Sequence, residues 1–214
     1  MCWNAEISLN TFLFSICVLV LIIYNNTYTK YKIKELDNVW MYIFISSFVI
    51  MQLVEFFIWK NIDDKFYNNV FSIIAVVILV MQPAASIMLL SNIELRNILL
   101  ISYLLLAIPY SIYKLSIQRV HSVVGESGHL QWNFFNTTPI IWIVWLFFFL
   151  FSFIYQKHWF GIIFGIVSLI IFFINYKNDH TMWSMWCWAV NSCFIYYAAY
   201  LLVFLPFIEK GSIC

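Results

Sequence analysis

The chain has 214 residues, 64% of them hydrophobic and only 10% charged, with a formal net charge of +1 and a mean hydropathy of +0.89. Soluble domains carry about 25% charged residues, so this composition is that of an integral membrane protein. The balanced charge, with no basic run and no basic residues interleaved with aromatics, sets nucleic acid aside as a partner.

An unsatisfied backbone group costs several kcal/mol in hydrocarbon, so an open chain crosses a bilayer as helices of roughly 20 apolar residues. The apolar runs predict seven, at approximately 8–24, 40–59, 67–91, 95–113, 138–156, 159–176 and 181–207. The expected fold is therefore an all-α, polytopic bundle of seven transmembrane helices forming one domain over 1–214. The preceding "MCWNAEIS" has no basic region and no small-residue cleavage site, so the first run reads as a span, not a signal peptide. Three lysines, Lys30, Lys32 and Lys34, follow it directly. They favour an outside or lumenal N-terminus and a cytoplasmic C-terminus, although the total count of Lys and Arg on the two sides is only six against five. Two sequons, at Asn25 and Asn136, fall on opposite sides, so at most one can be glycosylated.

In the second helix, "IMQLVEFFIWK" places Glu55 about four residues inside the end, with Gln52 at i−3 and Trp59 at i+4 on the same face. A carboxylate inside a span costs up to roughly 2.5–3.5 kcal/mol. It either lines a polar cavity or reaches the headgroups, where Lys60 or Lys65 could pair with it. In the third helix "VMQPAAS" sets Gln82 before Pro83, which frees the carbonyl of Leu79 for a neighbouring helix or water. Pro109 has the same effect in the fourth helix.

The connection over 115–137, "LSIQRVHSVVGESGHLQWNFFNT", is long and mostly polar, with glycines at 125 and 128. It is a re-entrant piece, a lid or a plain loop. Helix six carries Gly161 and Gly165 as a GxxxG, whose ordinary meaning is close packing within a bundle, with homo-oligomer formation as the other use. In helix seven, His180, Ser184, Cys187 and Asn191 follow at spacings of 4, 3 and 4 and form one stripe. No lysine lies in its interior, so a covalent retinal has no attachment point.

Counting spans puts Glu55, His121, Glu126, His129, Asp179 and His180 at one membrane face. Such a set could relay protons or, with zinc, coordinate a metal. No HExxH or HxxxH accompanies it, and the five cysteines, Cys2, Cys17, Cys187, Cys193 and Cys214, form no CxxC. The sequence therefore requires no cofactor, and zinc is a minor alternative. Cys2 reads at most as an acylation candidate.

Together, "MCW" at the start, the Glu55 helix, "QP" at 82–83, "GHLQW" at 128–132 and "MWCW" at 185–188 resemble a family of small seven-helix membrane proteins. Its members begin Met-Cys-Trp and occur in giant DNA viruses and some bacteria. That resemblance implies the fold and a host or virion membrane but no activity. A weaker similarity is to the seven-helix hydrolases that include alkaline ceramidases. In "HTMWS", however, Ser184 stands where their second metal-binding histidine would be.

The expected site is a polar pocket open to one face, built from Gln52, Glu55, Gln82, His129, Trp132, His180, Cys187 and Asn191. It would bind or pass a small polar solute, an ion or a lipid headgroup. The alternatives are a metal-dependent lipid hydrolase within the membrane and a structural envelope or membrane-remodelling protein.

Overall fold

The computed structural model describes residues 4–135 and 137–207. The "MCW" start with Cys2, the Asn136 sequon, Lys210 and Cys214 lie outside the described residues. The long helices are α1 (Ala5–Tyr28), α2 (Val39–Lys60), α3 (Lys65–Ile87), α4 (Ile93–Ile117), α5 (Pro139–Tyr155) and α6 (Trp159–Tyr176). A broken last helix follows, made of α7 (Met182–Asn191), α8 (Cys193–Ala199) and a π-helical turn at Tyr200–Phe204. Side-chain oxygens start four of these elements. Asn4, Asn38, Asp64 and Asn92 each accept from a backbone N–H of the first turn, donors that would otherwise have no partner.

Six helices are long and apolar enough to cross a membrane: α1, α2, α3, α4, α6 and the run Met182–Phe207. The architecture is thus that of an all-α, multi-pass membrane protein. The remaining apolar helix, α5, has 17 residues. Helix three ends at Ile87, short of the expected 91, and helix four runs on to Ile117, beyond the expected 113.

Helices α2 and α3 are the most enclosed. Half of the apolar window of each is buried, against 6% for α4 and 11% for α6. Ile22, Val49, Met51, Ile58 and Leu130 are almost fully buried in the main core. The carbonyl of Leu79, freed by Pro83, accepts from the Trp145 indole at 2.9 Å, so α5 supplies the partner that the proline requires. Trp142 stacks on Trp183 with centroids 3.8 Å apart, and Trp186 packs edge-on against Trp145, so α5 and α7 meet through indole rings.

The connection after α4 is a β-hairpin. Strands β1 (Ser122–Val124) and β2 (Leu130–Trp132) pair antiparallel in the register Ser122↔Trp132 and Val124↔Leu130. Gly128 takes φ 78 in the turn, a conformation that glycine adopts without steric cost. The hairpin is fastened to α3: Asn68 donates to the Ser122 carbonyl and accepts from the Ser122 N–H, and Asn69 donates to the Val120 carbonyl. It is also fastened to α7, where the Ser184 hydroxyl donates to the Leu130 carbonyl.

Two sequence features acquire other meanings. Asn25 is buried, and its amide nitrogen donates to the Tyr31 carbonyl at 2.8 Å, so this sequon holds the α1–α2 turn. A Cβ on Gly165 would meet nothing within 4 Å, and one on Gly161 would make only ordinary contact with Phe153, so the GxxxG is not a point of close helix approach among the described residues.

Candidate functional site

Antiparallel α2 and α7 face each other through a ladder of polar side chains. Asn191 donates to the Phe48 carbonyl at 3.2 Å and to the Cys187 carbonyl of its own helix at 3.0 Å. One turn towards the hairpin, Gln52 lies 3.9 Å from the Cys187 thiol through its amide nitrogen, which also donates to Glu55 at 2.9 Å. Four residues on each helix separate the two rungs, about 6 Å along the axis. The next step brings Glu55 to the level of Ser184, which anchors the hairpin.

Four of the eight expected site residues therefore come together: Gln52, Glu55, Cys187 and Asn191. All are buried, Gln52 and Glu55 to zero exposure. Glu55 does not reach the headgroups, and neither Lys60 nor Lys65 pairs with it. The two amides point their nitrogens at acceptors, which assigns their oxygens the opposite direction. Gln52 Oε1 and Asn191 Oδ1 are buried and accept no hydrogen bond among the described residues.

His129 and Trp132 lie on the hairpin that covers this end of the bundle. Both are buried, His129 edge-on to Tyr176 at 5.3 Å and Trp132 stacked on Phe134. Burial lowers the His129 pKa from its ordinary value, although Asp179 opposes the shift. Burial pushes the Asp179 carboxyl up, but hydrogen bonds from Ser127 and Thr181 outweigh it and hold the group below its ordinary range. Asp179 thereby ties the hairpin turn to the corner before α7.

The other expected residues stand apart. Gln82 is buried on α3, and among the described residues its amide nitrogen has no partner and no hydrogen bond links it to the ladder. Ser86, one turn on, donates to the Phe149 carbonyl of α5. His180 is exposed and lies before the helix begins, in the left-handed conformation at φ 58. His121 contacts Asn133 at 3.1 Å, and Glu126 is exposed. Among the described residues, no three His, Cys, Asp or Glu side chains form a set able to hold a metal ion.

One polar element went unread in the sequence: Ser8, Thr11 and Ser15 of α1. Ser8 and Ser15 are fully buried, and Thr11 accepts from the Trp188 indole at 3.1 Å. Their spacings of 3 and 4 were the available signal.

Comparison of the chain with protein-family models, with curated proteins and with solved structures finds no match in any of the three.

Proposed function

We propose that the protein is a seven-helix membrane protein that binds, or passes, a small positively charged or hydrogen-bond-donating solute between α2 and α7. What carries this reading is the pair of buried amide oxygens to which no described residue donates, Gln52 Oε1 and Asn191 Oδ1, beside a fully buried carboxylate on the same ladder. Leaving a buried acceptor unsatisfied costs about 1–3 kcal/mol, which a protonated amine or a monovalent cation would offset. Such groups rarely persist in a membrane interior without a use. Helix α5 counts as the seventh span in this reading. Its 17 residues reach about 26 Å, close to the roughly 30 Å hydrocarbon core. The three lysines after α1 support an outside or lumenal N-terminus.

The test is thermal unfolding of the full chain in detergent with sodium, potassium or methylammonium chloride at matched ionic strength. A ligand present at 100 times its Kd stabilises by about 2.7 kcal/mol, a rise of several degrees for a chain this size. One of the three ions should produce that rise, and Glu55→Gln and Asn191→Leu should each abolish it. No ion-specific rise, or one that survives both substitutions, overturns the reading. Elemental analysis of the same preparations addresses the hydrolase alternative, which requires stoichiometric metal that is lost in Glu55→Gln and His180→Ala.

A further inference from the structure

A second site lies on the opposite side of α3. A cavity of about 120 Å³ runs between α3, α4 and α5. Its deep wall is apolar, formed by residues such as Val76, Leu79, Ala107 and Val144, with the exposed Leu106 at its rim. The polar groups at its floor are already satisfied: the Tyr103 hydroxyl donates to the Val80 carbonyl at 2.6 Å, and the Trp145 indole donates to that of Leu79. The deep part therefore offers nothing to water or to a polar solute, and an apolar chain is what it fits.

The mouth is different. Lys114, Ser111, Gln118 and Thr137 line the end nearest the hairpin, and the Thr137 hydroxyl is buried beside that of Tyr110. No carboxylate lines the cavity, and Lys114 forms no ion pair among the described residues. From Tyr103 to Lys114 the groove spans eleven residues of α4, about 16 Å, and half of a roughly 30 Å hydrocarbon core is about 15 Å. The depth matches one leaflet. The cation stands where a lipid phosphate would lie, above a dry slot of acyl-chain length.

We infer that this groove is a binding site for one glycerophospholipid with an anionic headgroup, its acyl chain between α3, α4 and α5 and its phosphate against Lys114. The sparse packing of α4 follows, because the lipid supplies the contacts that a neighbouring helix would otherwise make. This site is separate from the ladder and does not depend on it.

Native mass spectrometry of the full chain, released from micelles with equimolar phosphatidylglycerol and phosphatidylcholine, tests the inference. The protein should retain one phosphatidylglycerol in preference to phosphatidylcholine. Lys114→Glu should cut that preference at least about fivefold, the value of one interfacial lysine. Ala107→Phe, which fills the slot, should lose the retained lipid of either kind. Lys65→Glu, on the same membrane side but outside the groove, should keep the preference. Equal retention of both lipids by the unaltered chain overturns the inference, as does an unchanged preference in Lys114→Glu or an equal loss in Lys65→Glu. Should Ala107→Phe fail to fold, the two lysine variants decide alone.

Discussion

Helices α2 and α4 are almost equally apolar, with mean hydropathies of 2.0 and 1.8 over their best windows, yet 50% of the first window and 6% of the second is buried. Hydropathy reports that a helix can cross a membrane and says nothing about where in the bundle it stands. The difference between the two lies in their polar residues. Gln52 and Glu55 of α2 have partners on α7 or within their own helix, whereas α4 contributes one buried residue, Tyr103, and beside it only partly buried apolar side chains such as Leu99, Leu104 and Ala107. In a bilayer, helix association draws on packing and interhelical hydrogen bonds because the surrounding lipid is as apolar as leucine. The helices that hold polar side chains are therefore the ones drawn inside.

Substitutions can break or sharpen this contrast. The largest effect is expected at Trp186, which is buried against Trp145 and Phe149 and donates to Ser168 and the Gly165 carbonyl. Trp186→Ala should cost about 3–5 kcal/mol, read as a fall in denaturation midpoint. Asn68→Leu comes next, because it removes both bonds to Ser122 and leaves that backbone N–H and carbonyl without their partner. A loss of about 1–3 kcal/mol and faster hydrogen exchange at Val123 and Gln131 are expected.

Acid should act in the same place with a smaller effect. The folded state lowers the His129 pKa below its ordinary 6.5, so it binds fewer protons there than the unfolded chain does. That contribution is complete above pH 6.5 and is lost as pH falls below it, and Asp179 adds a second loss below its ordinary 3.8. Hairpin exchange should therefore quicken between about pH 7.5 and 5.5, after correction for intrinsic exchange, and His129→Gln should flatten the dependence. The smallest effect is expected on α4, where Ile98 and Leu105 are 63% and 70% exposed. Ile98→Ala and Leu105→Ala should each stay within about 0.5 kcal/mol. A large loss at either position would mean that α4 meets a protein partner and not lipid.

The ladder was legible in part because helical spacing is a local property. Gln52 and Glu55 share a face at i, i+3, and Cys187 and Asn191 share one at i, i+4. The need of the Leu79 carbonyl for a donor followed from Pro83 in the same way, although only the fold shows that Trp145 meets it. What failed were extrapolations past a local rule. The α7 stripe does not extend back to His180, because the helix starts at Met182 and His180 itself is left-handed and exposed. The hairpin was hidden because each strand has three residues, too few for alternation to show, and its place is set by Asn68 and Ser184, which are more than 50 residues away along the chain. Asn25 matched a modification motif whose three letters carry no information about burial.

The stacked indoles of Trp142 and Trp183 are parallel to within 12° and belong to different helices. Two chromophores that close share their excited states, and the coupling of their strongest transitions contributes a paired positive and negative band to the far-ultraviolet circular dichroism. The protein thus contains an optical gauge of α5 against α7 that needs no label, and Trp142→Phe supplies its blank. Any solute that moves α7 away from α5 would register there as a change of sign or amplitude before unfolding begins.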